Sequence, residues 1–392
     1  MDNLTGSISS VGQPEGHLTP AGKVRWTNLD GLRGWGALLV VIFHATWVLF
    51  KYYLPAFQDA PPTLFGIGKL SVYCFFVLSA FVLSYPFFVT KHVGLLRRAS
   101  LRRYPRLTIP VLAASFLAFV IMKAGLLFNA EANAIVQTKN WLGTFYQQTP
   151  TIVSWLKFSL YDVYFRYDLV TSYDVYLWTM PWELAGSFLV FALLALSGSS
   201  KRTRYLWYLG LLLICAHEQS ILLNFVFGMA MADFAASSAY RDIENRKWAN
   251  YAGLAMLVLA LSIPVLLNGI YSVRLSALLA AFVVASAILW RPMRSAMQGP
   301  FSQFLARISF PIYLIHSLVI CSLSSWLILE FTRRGMTREM IVAIVAPVTI
   351  IVSIGAAVLF APVEVFSINA SRVLARMVTG SKTIHSRSSD VR

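Results

Sequence analysis

The amino-acid sequence predicts an all-α polytopic membrane helix bundle, with about ten transmembrane helices and both termini cytoplasmic. Three observations carry that expectation. Apolar residues fill 57% of the 392 positions and mean hydropathy is +0.65, above the range of an ordinary soluble domain. The windows Leu70–Thr90, Ala249–Val273, Ile308–Leu329 and Ile341–Val363 contain no Asp, Glu, Lys or Arg, and about 20 apolar residues cross the hydrocarbon core as a helix. Lys and Arg fall in blocks between the apolar stretches, as they do in the cytoplasmic loops of membrane proteins. A transmembrane barrel is excluded, because its strands alternate apolar and polar residues in segments of about ten.

The elements follow in order. Residues 1–27 form an expected disordered cytoplasmic tail. Its first 22 residues are rich in Gly, Ser, Thr and Pro and lack the apolar core of a cleavable signal peptide. The first span then acts as an uncleaved anchor. A transmembrane domain over 28–366 holds spans at 30–50, 66–89, 107–128, 174–197, 205–217, 219–236, 249–268, 272–290, 308–331 and 341–363. The fifth and sixth are short: Tyr205–His217 would cover about 20 Å as a helix. Charge decides between one span and two. With ten spans and an internal amino terminus, 23 of the 33 basic residues lie inside. Merging the short pair puts the basic segments 198–204 and 291–307 on the wrong side of the bias. Arg333, Arg334 and Arg338 run against this topology, since their connection is external in it.

The connection 129–173 is the longest, external in this arrangement and dense in aromatics, among them Trp141, Phe145, Tyr146, Trp155, Tyr164 and Tyr173. Aromatic rings favour the membrane–water boundary, which gives one reading, an amphipathic segment on the outer surface. Loops of this length without a role are uncommon, which gives the other, a lid or acceptor platform. Residues 367–392 read as a disordered basic tail.

The net charge of +16 is explained by cytoplasmic loops and needs no nucleic acid. Cys74, Cys215 and Cys321 lie in apolar stretches and imply neither a disulfide framework nor a metal site.

Titratable residues inside apolar spans are costly and mark functional sites by default. Arg33 and His44 share the first span, eleven residues apart. A helix puts them on one face, about 16 Å apart. Counting about 1.5 Å per residue, His44 lies roughly 16 Å from the start of its span, Glu183 roughly 14 Å and His316 roughly 12 Å from the starts of theirs. All three fall near the midplane. Beyond the second span, Arg103-Tyr104-Pro105-Arg106 puts two guanidinium groups three residues apart where the third span begins. Guanidinium groups bind phosphate in a planar, bidentate way, and Arg33 can join them. A basic mouth feeding a buried His suits a donor that is polyanionic at one end and reactive at the other, the shape of a coenzyme A thioester.

Leu-Asp-Gly-Leu-Arg-Gly with Arg-x10-His on the first span, Arg-x-x-Arg after the second, Trp-x3-Trp-Glu on the fourth and Ser-Phe-Pro-Ile-Tyr-Leu-Ile-His near the end together resemble the acyltransferase-3 family of membrane O-acyltransferases, over roughly 28–365. The resemblance implies transfer of acetyl or another short acyl group from the coenzyme A thioester to a hydroxyl of a sugar, surface glycan or glycolipid-type acceptor. By motif, Arg33, His44, Arg103 and Arg106 match the family's functional positions, and Glu183 and His316 match recurrent strings. Many relatives carry an extra soluble carboxy-terminal domain, and this chain ends after the tenth span.

Each residue has a plainer reading beside the functional one. His44 is a general base or a buried His bonded to a neighbouring helix. Arg33 holds phosphate or snorkels to the interface. Arg103 and Arg106 hold phosphate or simply set topology. Glu183 orients His44 or makes a structural ion pair. His316 joins the site or packs against Tyr313 or a backbone carbonyl. Asp30 caps its helix, and Asp174 reads as a surface residue at the external end of the fourth span. The site expected from sequence is therefore catalytic His44, Arg33, Glu183 and His316, donor-binding Arg33, Arg103 and Arg106, and no metal. No tightly bound cofactor is expected; acyl-CoA, most simply acetyl-CoA, is a co-substrate. The expected partners are acyl-CoA, a hydroxyl-bearing acceptor and the lipid bilayer of a bacterial inner membrane or a plasma membrane. No nucleic acid is expected and nothing sets an oligomeric state. The rival reading is a proton-coupled transporter or flippase relaying protons through His44, Glu183 and His316, although the two halves show no inverted repeat.

Overall fold

A computed structural model describes residues 17–18, 24–58, 67–139, 141–198, 200–267 and 272–379. Ten principal helices occur among them: α1 (Thr27–Phe43), α2 (Ile67–Thr90), α3 (Val93–Lys123), α4 (Met180–Ser197), α5 (Lys201–His217), α6 (Leu223–Ala235), α7 (Lys247–Leu266), α8 (Val273–Leu289), α9 (Pro300–Val319) and α10 (Arg338–Thr379). The only strands described are a two-residue antiparallel pairing of His17–Leu18 with Val24–Arg25.

Among the described residues seven helices are long and apolar enough to cross a membrane, and the count is eight if Val273–Leu289 and the following Arg291–Gln298 form one broken span, bent by 84°. Helix α5, with three basic residues in its first turn, and the 13-residue α6 fall short of that test. Several boundaries differ from the sequence expectation. Helix α3 starts at Val93 rather than 107, so Arg103 and Arg106 sit well inside a 31-residue helix and not at its mouth. Basic residues within a helix are tolerated when their donors have partners or reach solvent. Helix α10 runs unbroken to Thr379, so residues 367–379 are helical rather than a disordered tail. The expectations for residues 1–16, 19–23 and 380–392 lie outside the described residues.

Six helices pack in a ring: α1 on α2, α2 on α4, α4 on α3, α3 on α10, α10 on α9, and α9 back on α1. The remaining four flank one side. Helices α6 and α8 pack on α2, with α7 outside α8 and α5 against α6. Helix α1 packs closely on α9 and on the short helix Arg291–Gln298 ahead of it, and glycine permits it. A Cβ at Gly34 would lie 2.4 Å from the Ala306 nitrogen, and one at Gly31 would lie 2.0 Å from the Met297 carbonyl oxygen. Small residues let helix backbones meet in this way. The two glycines of the opening Leu-Asp-Gly-Leu-Arg-Gly string are thus packing residues: Gly34 seats α1, and with it Arg33, on α9, and Gly31 seats it on the short helix ahead of α9.

The 129–173 connection is neither a bare surface segment nor a detached lid. It contains the helices Asn129–Val136 and Ile152–Lys157, and its buried Leu142, Phe145, Tyr146, Phe158 and Tyr164 share one core with Tyr313, Leu314 and Leu318 of α9. The backbone N–H of Phe128 donates to the Cys321 carbonyl at 2.9 Å, inside a π-helical turn at Ile320–Ser324. A second π-turn, His44–Val48, directly follows α1. Such turns are frequent at functional sites.

Candidate active site

The sequence-derived residues assemble into two neighbouring groups, not one. The first is a cavity of about 170 Å³ at the centre of the six-helix ring. Every ring helix or its lead-in contributes: Asp30 and Arg33 from α1, Ser79 from α2, Arg103 and Arg106 from α3, Thr179 and Glu183 at the start of α4, Ser309 and Tyr313 from α9, and Glu364 from α10. The three arginines named from the sequence therefore converge, as that reading required.

Their chemical states differ. Arg103 is buried, with 7% of its surface exposed. It forms an ion pair with Glu183, and its Nε donates to Ser187 Oγ at 2.7 Å while Nη2 donates to Ser79 Oγ at 3.0 Å. Ser79 in turn donates to Glu183 Oε1 at 2.5 Å. Much of this guanidinium is therefore satisfied within the protein. Arg33 donates from Nε to Ser309 Oγ at 3.1 Å and lies 3.7 Å from Asp30, with donors left over. The Arg106 carbonyl accepts from Ser367 Oγ at 2.8 Å, but its guanidinium makes no hydrogen bond or ion pair among the described residues, and its nearby charges are Arg103, Arg33, Glu364 and Arg102. Arg33 and Arg106 are the guanidinium groups able to receive an anion. Glu183 takes the plainer of its two readings, a structural ion pair: it braces Arg103, and no contact among the described residues joins it to His44.

The second group is a histidine pair. His44 Nδ1 and His316 Nε2 are 3.3 Å apart. His316 is fully buried and His44 half-buried. His316 Nδ1 faces only acceptors, the carbonyls of Ile312 at 3.0 Å and Tyr313 at 2.9 Å. It must carry its proton there, which makes Nε2 the acceptor. His44 then donates from Nδ1, and its Nε2 keeps a free lone pair. Both plain readings of His316, packing near Tyr313 and bonding a backbone carbonyl, are true, and the ring still has a nitrogen for His44.

Tyr176, which sequence reading did not single out, stacks on both imidazoles. Its ring centroid is 4.3 Å from that of His44 and 4.4 Å from that of His316, nearly parallel to the latter at 3°. Trp141, from the long connection, lies 5.9 Å from His44 on a parallel plane. Tyr313 links the two groups. It lines the cavity, donates to the Tyr176 carbonyl, and its hydroxyl meets Thr179 Oγ1 at 2.6 Å.

Asp174 is not at the surface. It is 1% exposed, and its Oδ1 accepts from the Tyr176 N–H at 3.1 Å and from Ser317 Oγ at 3.1 Å. It therefore ties the stacking Tyr176 to the residue after His316. Asp174 lies in the connection ahead of the fourth long helix. Burial pushes its carboxyl up to about 7, opposed by those two hydrogen bonds. An Asp at the head of an apolar run reads as a cap or a surface group, so only the aromatic density around it hinted otherwise. Among the described residues no three His, Cys, Asp or Glu side chains are grouped to hold a metal ion.

Fold and site together define a helical membrane protein in which a histidine pair adjoins an arginine-lined cavity. The acyltransferase domain model of the acyltransferase-3 family matches residues 26–363, and the chain belongs to that family. An O-acetyltransferase of Phomopsis amygdali, PaAT-1, is 26% identical over 352 residues, covering 74% of this chain and 71% of that protein. No solved structure matches. The protein is an O-acyltransferase, with an acyl donor and a hydroxyl acceptor, and family membership sets aside the transporter reading.

Proposed function

We propose that the protein moves an acetyl or other short acyl group from acyl-CoA to a hydroxyl of a carbohydrate, surface glycan or glycolipid-type acceptor, with His44 as the general base. The observation that carries this reading is the His44–His316 pair, because its hydrogen bonding leaves His44 Nε2 unprotonated and free. His44 Nε2 takes the acceptor's hydroxyl proton as that oxygen attacks the thioester carbonyl. The carbon–sulfur bond then breaks, the proton passes from His44 to the departing thiolate, and an ester and free CoA result. His316 accepts from Nδ1–H throughout, which fixes the tautomer and spreads the transient positive charge, as the orienting group does in a catalytic triad. The Tyr176 face beside both rings favours the same charge.

Arg33 and Arg106 hold the donor's phosphates, while Arg103, braced by Glu183, shapes the wall between them. Eleven residues of helix, about 16 Å, separate Arg33 from His44. That separation suits a donor whose phosphates and thioester sit at opposite ends of a long flexible arm. The ten-span topology with both termini cytoplasmic, in a bacterial inner membrane or a plasma membrane, opens the arginine end to cytoplasmic acyl-CoA. The test is incubation of the purified protein with labelled acetyl-CoA and a panel of sugar and glycolipid alcohols. CoA release that depends on the added alcohol, with label recovered as its ester, is the expected result. Release that ignores the alcohol, or none at all, would overturn the reading.

A further inference from the structure

A second cavity, about 260 Å³, lies at one end of the bundle and takes no part in the chemistry above. Four separate segments build it: Trp26 and Asn28 at the start of α1, Tyr85 to Val89 at the end of α2, Ala235 to Glu244 after α6, and Arg294 before α9. The sequence topology puts all four on the cytoplasmic side. Its walls are aromatic. Trp26 meets Tyr85 edge to face at 5.4 Å and Tyr240 at 6.0 Å, and Tyr85, Phe88 and Tyr240 are buried. Its rim is charged, with Arg241, Arg294 and one carboxylate, Glu244. Arg241 is exposed, and its side chain makes no hydrogen bond or ion pair among the described residues.

This cavity adjoins the arginine cavity. Asn28 lines one and Leu29 and Asp30 line the other, and along α2 Leu83 faces the ring cavity while Tyr85 faces the aromatic one. From Asn28 to Arg33 is about 8 Å along the helix. Flat π faces beside guanidinium groups suit a purine carrying phosphate, since base–aromatic stacking is sequence-tolerant and worth about 1–3 kcal/mol per base. The Glu244 carboxylate, which would repel phosphate, is an acceptor for an exocyclic amine.

We infer that this aromatic cavity is a subsite for a 3′-phosphorylated adenine nucleotide, the head of the same acyl-CoA whose diphosphate reaches Arg33 and Arg106. The base stacks among Trp26, Tyr85 and Tyr240, the 3′-phosphate meets Arg241 and Arg294, and the chain of the donor crosses the first turn of α1. The inference rests on the acyl-CoA reading, and a donor-independent measurement separates the two.

The experiment measures equilibrium binding of adenosine 3′,5′-bisphosphate to the purified protein, the Ala236→Phe variant, which fills the cavity from its half-buried edge, and the Arg241→Glu variant. Saturable binding to the unmodified protein, weakened tenfold or more in both variants, is the expected result. The variants should also raise KM for acetyl-CoA by a similar factor while leaving transfer from S-acetyl-pantetheine, which lacks the nucleotide, unchanged. No nucleotide binding, binding that inorganic phosphate displaces equally well, or equal damage to both donors would overturn the proposal. If acetyl-CoA turns out not to be a donor, nucleotide binding lost in Ala236→Phe still supports the subsite, and its absence still overturns it.

Discussion

Replacing His316 tests the orienting role of the buried imidazole. In His316→Phe the ring volume stays close to the original and the stack on Tyr176, 4.4 Å centroid to centroid, has an aromatic successor. The variant loses the acceptor 3.3 Å from His44 Nδ1, and with it the hydrogen bond that dictates the His44 tautomer. A hydrogen bond of this kind is worth about 0.5–1.5 kcal/mol, rising to about 1.5–3 when one partner is charged, as His44 becomes after taking the proton. At about 1.4 kcal/mol per tenfold change, kcat should fall by about ten- to a hundredfold. In the proposed function donor binding is made elsewhere, at Arg33 and Arg106, so KM for acetyl-CoA should stay within about twofold, as for any interaction made only in the transition state. His316→Gln, which keeps an acceptor, should recover part of the loss. The assay is CoA release with the acceptor that gives the highest wild-type turnover. A kcat for His316→Phe equal to wild type would refute the pair, and a matching rise in KM would move His316 into donor binding.

Two further outcomes follow from the same geometry. Arg106→Ala should fold normally and raise KM for acetyl-CoA tenfold or more, whereas Arg103→Ala leaves the half-buried Glu183 without its cation, a change that costs up to about 3–5 kcal/mol for a buried pair; thermal unfolding in detergent should separate the two, and equal loss of stability would contradict the division. Asp174 provides a pH test: its carboxyl titrates at about 7 in the folded protein against an ordinary value of 3.8, so the folded state favours the protonated form. Its stabilising contribution is complete below 3.8 and is lost as pH rises through 7. The Tm of wild type should therefore rise from pH 8 to pH 5 relative to Asp174→Asn, and a difference that does not change with pH would remove the assignment.

The sequence was most legible where the physics is one-dimensional. Each apolar run became a helix, because in lipid the backbone must satisfy its own hydrogen bonds, and the spacing of Arg33 and His44 transferred directly because both lie on one continuous helix. Convergence of Arg33, Arg103 and Arg106 was legible from charge and motif. Their division of labour was not, since only the tertiary pairing of Arg103 with Glu183 leaves Arg106 as the open donor. Depth counting placed His44, Glu183 and His316 at similar levels. It carries no information about which way each faces across the bundle, and Glu183 turned to a different neighbour. Tyr176 and Asp174 were hidden for a related reason: they precede a span, where aromatics and carboxylates usually meet water, and here the 129–173 connection folds back over them. Gly31 and Gly34 looked like motif residues and proved to be packing residues.

The central claim is that the half-buried imidazole of the first long helix removes the acceptor's proton, and His44→Ala tests it most directly. General-base catalysis contributes about 10²–10⁴-fold. The variant, purified with an unchanged Tm and unchanged acetyl-CoA binding, should therefore lose acyl transfer by at least about a hundredfold. Transfer at the wild-type rate from that folded, donor-bound variant would contradict the account.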